Sequence, residues 1–173
     1  KIVLRIEDDL GVASSDEVMI VSSDSYSNEF RYGKDAYNLE TFVNPQYIDM
    51  YIKKDDWLGD QDINGVIAET SHFSTIGYSN DELTKIYHIE TNHSDVNGLV
   101  NLTWELDSDI DHDVSIIINN TIYDLHSNQI ITARIEELDQ MILIIGDIDD
   151  YLIVDDFVLG SPYPNPFNPS TSF

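Results

Sequence analysis

The sequence contains no cysteine, and this absence removes two classes of site at once. Without thiols there is neither a disulfide framework nor a thiolate metal site. None of the five histidines sits in a His-x-x-x-His or His-Glu-x-x-His spacing, so zinc chemistry has no support from these motifs either. Any fold of this chain therefore does without disulfide cross-links.

Basic side chains are also scarce. Eight Lys and Arg residues stand against 33 Asp and Glu residues, which gives a formal net charge of −25. Such a chain repels phosphate backbones and anionic lipids within a Debye length of about 8–10 Å, so nucleic acid and membrane surfaces are not expected as partners. Two uses of the acidity remain open: a solvated surface adapted to salt, or the capture of divalent cations.

Long apolar runs are missing too. None reaches the roughly 18–20 residues that a membrane-spanning helix needs, so membrane insertion is not expected. No basic segment followed by an apolar one opens the chain, and its first residue is Lys1, so we expect any export signal to lie upstream. The hydrophobic content of 42% is enough for one core.

Apolar and polar side chains alternate in residues 47–52 and again in residues 101–106, the pattern of a strand with one face on a core. Turn residues such as Asn64-Gly65 and Asn119-Asn120 separate the apolar runs. Together they predict an all-β fold, an antiparallel β-sandwich of Ig-like or jelly-roll type. Further β-rich runs lie at residues 2–6, 18–21, 29–32, 66–69, 85–89, 114–118, 130–135 and 141–145.

The tail has a different composition. Four of the five prolines lie between residues 160 and 169, which favours an extended linker over a central strand. Residues 163–173 resemble the start of the C-terminal sorting domain of type IX secretion, through Tyr163, Pro164, Asn165, Pro166, Phe167, Asn168 and Pro169. This resemblance implies export through the periplasm and outer membrane of a Gram-negative bacterium, with the type IX machinery as partner and an extracellular or cell-surface location.

The first residues carry a second resemblance. Residues 1–21 resemble the last two strands of a PKD-type Ig-like domain, with a turn at Asp8-Asp9-Leu10-Gly11 and a Ser-rich return strand. The alternative is that they form the first hairpin of the main sandwich. The first interpretation divides the chain into module-end strands at 1–22, a sandwich domain at 23–150, and a linker with the start of the sorting domain at 151–173.

Two acidic patterns have the oxygen spacing of calcium sites, and calcium is the one cofactor that the sequence indicates. The first precedes Gly65, but Ser71 stands where a closing Glu is expected, and a hairpin turn is the alternative. The second would put four carboxylates on one face of an extended strand, and a solvated loop is its alternative. The first set is Asp60, Asp62, Asn64 and Glu69, and the second is Asp107, Asp109, Asp111 and Asp113.

The sequence contains no recognisable catalytic motif. Nucleophile elbows and phosphate-binding glycine loops are missing, so we predict that the protein is not an enzyme. Tyr47, Tyr51 and Trp57 lie near one polar strand face and are candidates for stacking on a sugar ring. Aromatic packing at a sheet edge is the alternative for these three residues.

These observations predict an extracellular structural protein. Strands from neighbouring modules at both ends of the chain would leave backbone groups unpaired, which favours strand addition between copies. The predicted product is a filament or surface array of copies of the chain, stiffened by calcium. The alternative is a glycan-binding or adhesive accessory module of a larger secreted protein.

Overall fold

The computed structural model describes residues 1–10, 16–22, 29–32, 34–38, 46–79, 84–94, 96 and 98–151. Its helical parts are the 3₁₀ turns Asp55–Trp57 and Ile135–Glu137 and residues 148–151. Most of the structure is β, which confirms the predicted all-β class. The strands are β1 (Ile2–Asp8), β2 (Asp16–Ser22), β3 (Ala36–Tyr37), β4 (Tyr47–Lys53), β5 (His72–Tyr78), β6 (Lys85–Ser94), β7 (Leu99–Leu106), β8 (Val114–Ile118), β9 (Thr121–Asp124), β10 (Ile130–Arg134) and β11 (Gln140–Ile145).

One curled, mixed sheet contains these strands in the order β10-β7-β1-β2-β5-β4-β6-β11-β8-β9, with β3 paired to β5. The strand pairs are antiparallel, except that β2 and β5 run parallel. A parallel pair needs a long connection, and the chain between β2 and β5 supplies one. The parallel pair is a departure from the antiparallel arrangement that the sequence predicted.

The alternation of side chains places one face of the strands on a shared core. Ile48, Met50 and Ile52 of β4 are buried in it, as their spacing predicted. Trp104 of β7 packs against the same core, and its indole N–H donates to the carbonyl of Leu125 at 2.8 Å. Burial of these apolar side chains is the main force that stabilises the sheet.

The N-terminal strands belong to the same sheet and core as the rest of the described chain. β1 pairs with β2 along one edge and with β7 along the other. Its side chains Ile2, Leu4 and Ile6 lie in the core beside residues of the later strands. The prediction that residues 1–22 end a separate module with unpaired backbone is not supported by this arrangement, because both edges of β1 have partners.

Two predicted strands are reduced to isolated bridges. Residues 29–32 contribute a bridge between Tyr32 and Asp35, and residues 66–69 one between Gln61 and Ile67. Both segments close short turns, so they do not extend into ladders. The segment predicted as linker and sorting domain, 151–173, lies outside the described residues except for residue 151.

The turn at Asn119-Asn120, which the sequence placed between two apolar runs, is a β-hairpin that joins β8 to β9. The two residues have φ angles of 48° and 63°. Two-residue hairpin turns need this left-handed conformation, and asparagine adopts it at lower cost than most residues. The local sequence therefore specifies this turn without help from distant contacts.

Candidate functional site

The first predicted calcium segment is a tight turn organised by Asp62. Its carboxylate accepts hydrogen bonds from the main-chain amides of Asn64 and Val66, both at 2.8 Å. The hydrogen bond from Val66 is the main cause that lowers the pKa of Asp62. Gly65 has a φ of 80°, which suits an Asn-Gly turn. This segment therefore forms the turn that the sequence offered as the alternative to a calcium site.

Asp60 and Glu69, the other acids of this segment, are exposed. In the described part of the chain, no group of three or more His, Asp or Glu side chains is arranged to hold a metal ion. Calcium binding by Asp60, Asp62, Asn64 and Glu69 therefore stays a prediction.

The second acidic pattern does not form a strand. It follows the end of β7, where the amide of Ile110 donates to the carbonyl of Asp107 at 3.2 Å and turns the chain. Ile110 packs against the core, and Asp107 lies 3.2 Å from the N-terminal ammonium of Lys1. The expected row of four carboxylates on one extended face is thus corrected to exposed side chains on a turn and loop, at Asp107, Asp109, Asp111 and Asp113.

The aromatic residues predicted as a sugar platform are packed into the protein. Trp57 is 3% exposed, and its ring meets that of Phe73 edge to face, with 5.3 Å between centroids. Tyr51 is buried and stacks on His72 at 4.0 Å. Tyr47 is half-buried. The three side chains do not form one exposed surface, which agrees with the packing alternative.

A broad groove of about 1770 Å³ runs beside β6 and β11. Within it the Tyr51 hydroxyl donates to one carboxylate oxygen of Glu90 at 3.1 Å, and Lys53 donates to the other at 3.0 Å. The volume exceeds the roughly 300–1000 Å³ of typical small-molecule pockets, as for an open groove rather than an enclosed cavity. Other side chains that line it include His88, Arg134, Gln140 and Ile142.

Two carboxyl groups meet where β2 approaches β4, and sequence reasoning missed them. The carboxylate of Asp16 accepts from the main-chain amide of Met50 at 2.7 Å, and that of Asp49 accepts from the side-chain amide of Asn38 at 2.7 Å. Burial, more than any other cause, raises the pKa of Asp16 to about 6, and the neighbouring Asp49 adds to the rise. The two acids are 33 positions apart in sequence (49 − 16), so no local motif indicates them.

The two ends of the sheet are open. β10 and β9 stand at opposite ends of the strand order, so each has one edge with which no described strand pairs. On β10, Ile131 and Ala133 face the core while Ile130 is 52% exposed. On β9, Ile122 is 46% exposed. Strand edges of this kind expose N–H and C=O groups that can pair with another strand.

Comparison of the chain with protein-family models, curated proteins and solved structures finds no match. The seven residues of the predicted secretion signature, Tyr163 to Pro169, lie outside the described residues. In the portion that the structure describes, no helix is both long and apolar enough to cross a membrane. The two family resemblances therefore stay predictions from the sequence.

Proposed function

We propose that this chain is an extracellular structural module that assembles with copies of itself, the β10 end of one sheet pairing with the β9 end of the next. The observation that carries the proposal is the pair of open ends on one continuous sheet. Because the two ends differ, head-to-tail pairing does not close after one step, and it produces an open-ended filament where the rotation between copies does not close a ring. The hydrogen bonds of such a joint are those of an ordinary β-ladder.

The distribution of charge favours contact at these ends. Residues 125–135, which include β10, contain no Asp or Glu in a chain that has 33 of them. Within β9, Asp124 is the one acidic residue. Copies with a net charge of −25 repel one another, and the repulsion is smallest where two such ends approach. Salt screens the repulsion that remains, so assembly is expected to increase with ionic strength.

The proposed export and location of the protein are supported by the sequence. The Pro-Asn series at 163–169 supports export by type IX secretion and a place on or outside the surface of a Gram-negative bacterium. Calcium that bridges acidic side chains of neighbouring copies would further stiffen the assembly. Electron microscopy of the native material with and without a chelator tests both the filament and the calcium contribution.

The direct test is a substitution at one sheet end. Ile130→Glu places a charge on the β10 edge, and we expect this variant to stay monomeric where the unmodified chain forms larger species. Ile63→Glu is the matched control, because Ile63 is 74% exposed in a turn away from both ends. Light scattering coupled to size exclusion, over a range of protein and salt concentrations, measures the mass. An unmodified chain that remains a monomer throughout contradicts the proposal.

A second function, binding of a glycan as an accessory module, is favoured by the groove beside β6 and β11. Its lining carries both donors and acceptors of hydrogen bonds: Arg134 donates, Glu90 accepts and Gln140 can do either. Calorimetric titration with soluble polysaccharides tests this function, with Gln140→Ala expected to weaken binding. Ile63→Glu again serves as the control, and the absence of heat with any polysaccharide argues for the structural role alone.

A further inference from the structure

Asp16 takes the place of a strand partner for the middle of β4. β4 pairs with β5 only through Ile52 and Lys53, so the edge of β4 at Met50 has no ladder on that side among the described strands. The Met50 amide donates instead to the Asp16 carboxylate at 2.7 Å. A side chain of β2 thereby fastens β4, and the position of that side chain controls the junction between the two strands.

A second carboxyl group lies against the first. Asp49, next to Met50 and 9% exposed, is within hydrogen-bonding reach of Asp16. Two carboxylates at this separation repel each other strongly unless one of them carries a proton. One proton between them turns the contact into an O–H···O hydrogen bond.

Among the described residues that the ladders place beside Asp16 and Asp49, none brings a compensating cation. On β2 itself, Glu17 is paired with Arg5 at 2.9 Å. On β1, Ile6 stands opposite Asp16, and on β6 the neutral Asn92 stands opposite Asp49. None of the ion pairs between described residues includes Asp16 or Asp49.

Two further polar side chains on adjoining segments are the neutral amide of Asn38 and the imidazole of His93. Asn38 contributes its side-chain amide to Asp49 at 2.7 Å. On β6, His93 lies one position from Asn92 and is 3.7 Å from Asp139. Asn38 is uncharged and His93 lies beside another acid, so neither side chain offsets a second negative charge on Asp16 and Asp49. Among the described groups, a shared proton is what remains to offset that charge.

We propose that Asp16 and Asp49 form a pH-sensitive latch, in which a shared proton holds β2 to β4 and its loss loosens the junction. The direction follows from linkage. The folded-state pKa of Asp16 is raised above its ordinary value, so the stability that the pair contributes is present in acid and is lost as the pH rises through about 6. The latch is therefore closed in mildly acidic surroundings and open in alkaline ones.

Asp16→Asn and Asp49→Asn test the latch. The asparagine side chain carries an N–H that donates the hydrogen bond at every pH, in place of the proton that the two carboxyl groups share in the native chain. Glu17→Gln is the control, since it removes a neighbouring acid that is engaged elsewhere. Urea unfolding at pH 5 and pH 8 measures the unfolding constant of each variant. We divide the unfolding constant of the native chain by that of each Asn variant, and we expect this ratio to rise about tenfold from pH 5 to pH 8. Glu17→Gln should show the same pH dependence as the native chain.

Carboxyl-carbon NMR titration supplies an independent measurement that does not depend on the variants. We expect the Asp16 signal to show its transition above the range of an ordinary aspartate. An Asp16 signal that titrates alone and normally overturns the proposal, as does an Asn variant with the same pH dependence as the native chain. Calcium that restores the native chain at pH 8 without affecting Asp16→Asn also overturns it, because the occupant of the pair is then a cation.

Discussion

The Asp62 carboxylate accepts a hydrogen bond from the main-chain amide of Val66 at 2.8 Å. This hydrogen bond closes the turn whose oxygen spacing predicted a calcium loop. Asp62→Ala removes the acceptor of that amide, and we expect a fall in the melting temperature of about 2–4 °C at neutral pH, as for loss of one hydrogen-bonding group in a chain of this size. Thermal unfolding followed by circular dichroism measures it. Asp60→Ala, at an exposed neighbouring acid, is the control and should leave the melting temperature unchanged.

The same turn should weaken in acid. The folded-state pKa of Asp62 is lowered by its hydrogen bonds, so its contribution is present above the ordinary pKa of 3.8 and is lost as the pH falls through the folded value. The difference between the native chain and Asp62→Ala is therefore expected to shrink in strong acid. A difference that stays constant over the whole acidic range would contradict this account.

The aromatic cluster beneath the Asp55–Trp57 turn is expected to be a major source of stability. Phe73 is fully buried and its ring lies 5.4 Å from that of Tyr37 and 5.3 Å from that of Trp57. Phe73→Ala should cost about 3–5 kcal/mol, the range for removal of a buried phenylalanine. Urea unfolding measures the change. Leu10→Ala, at an exposed position, should change the free energy of unfolding by less than about 0.5 kcal/mol.

Trp57 should be shielded from solvent, since it is enclosed by the protein. A variant with Trp104→Phe keeps Trp57 as its single tryptophan, and we expect its fluorescence to resist quenching by acrylamide. The converse variant, Trp57→Phe, reports on the half-buried Trp104 and should be quenched more. A polysaccharide that shifts the emission of Trp57 would instead restore the sugar-stacking interpretation of this residue.

Mixing experiments distinguish head-to-tail assembly from a symmetric dimer. Ile130→Glu should block the β10 end and leave the β9 end intact, while Ile122→Glu does the reverse. Each variant alone is expected to remain monomeric, and an equal mixture should form dimers and no longer species, because one intact joint remains between the two variants. If Ile122→Glu alone still forms dimers, the joint is a symmetric contact between two β10 ends.

Local structure followed closely from the sequence in several places. The alternation in β4 identified which side chains enter the core, and Asn119-Asn120 identified a turn between two apolar runs. Both depend on neighbouring residues, which fix side-chain direction and turn conformation. The regular spacing of the acids at 107–113 predicted an extended strand, and this prediction was wrong. The turn at Asp107 and the packing of Ile110 against the core interrupt the alternation.

By itself the sequence determined that the chain is all-β and carries a large negative charge, since these properties depend on composition and on a period of two. Only the tertiary structure decided that β1 lies inside the sheet, that β10 and β9 form its ends, and that Asp16 meets Asp49. The physical reason is that strand pairing joins residues far apart in the chain. Alternation specifies the face of each side chain and leaves open which strand lies beside which.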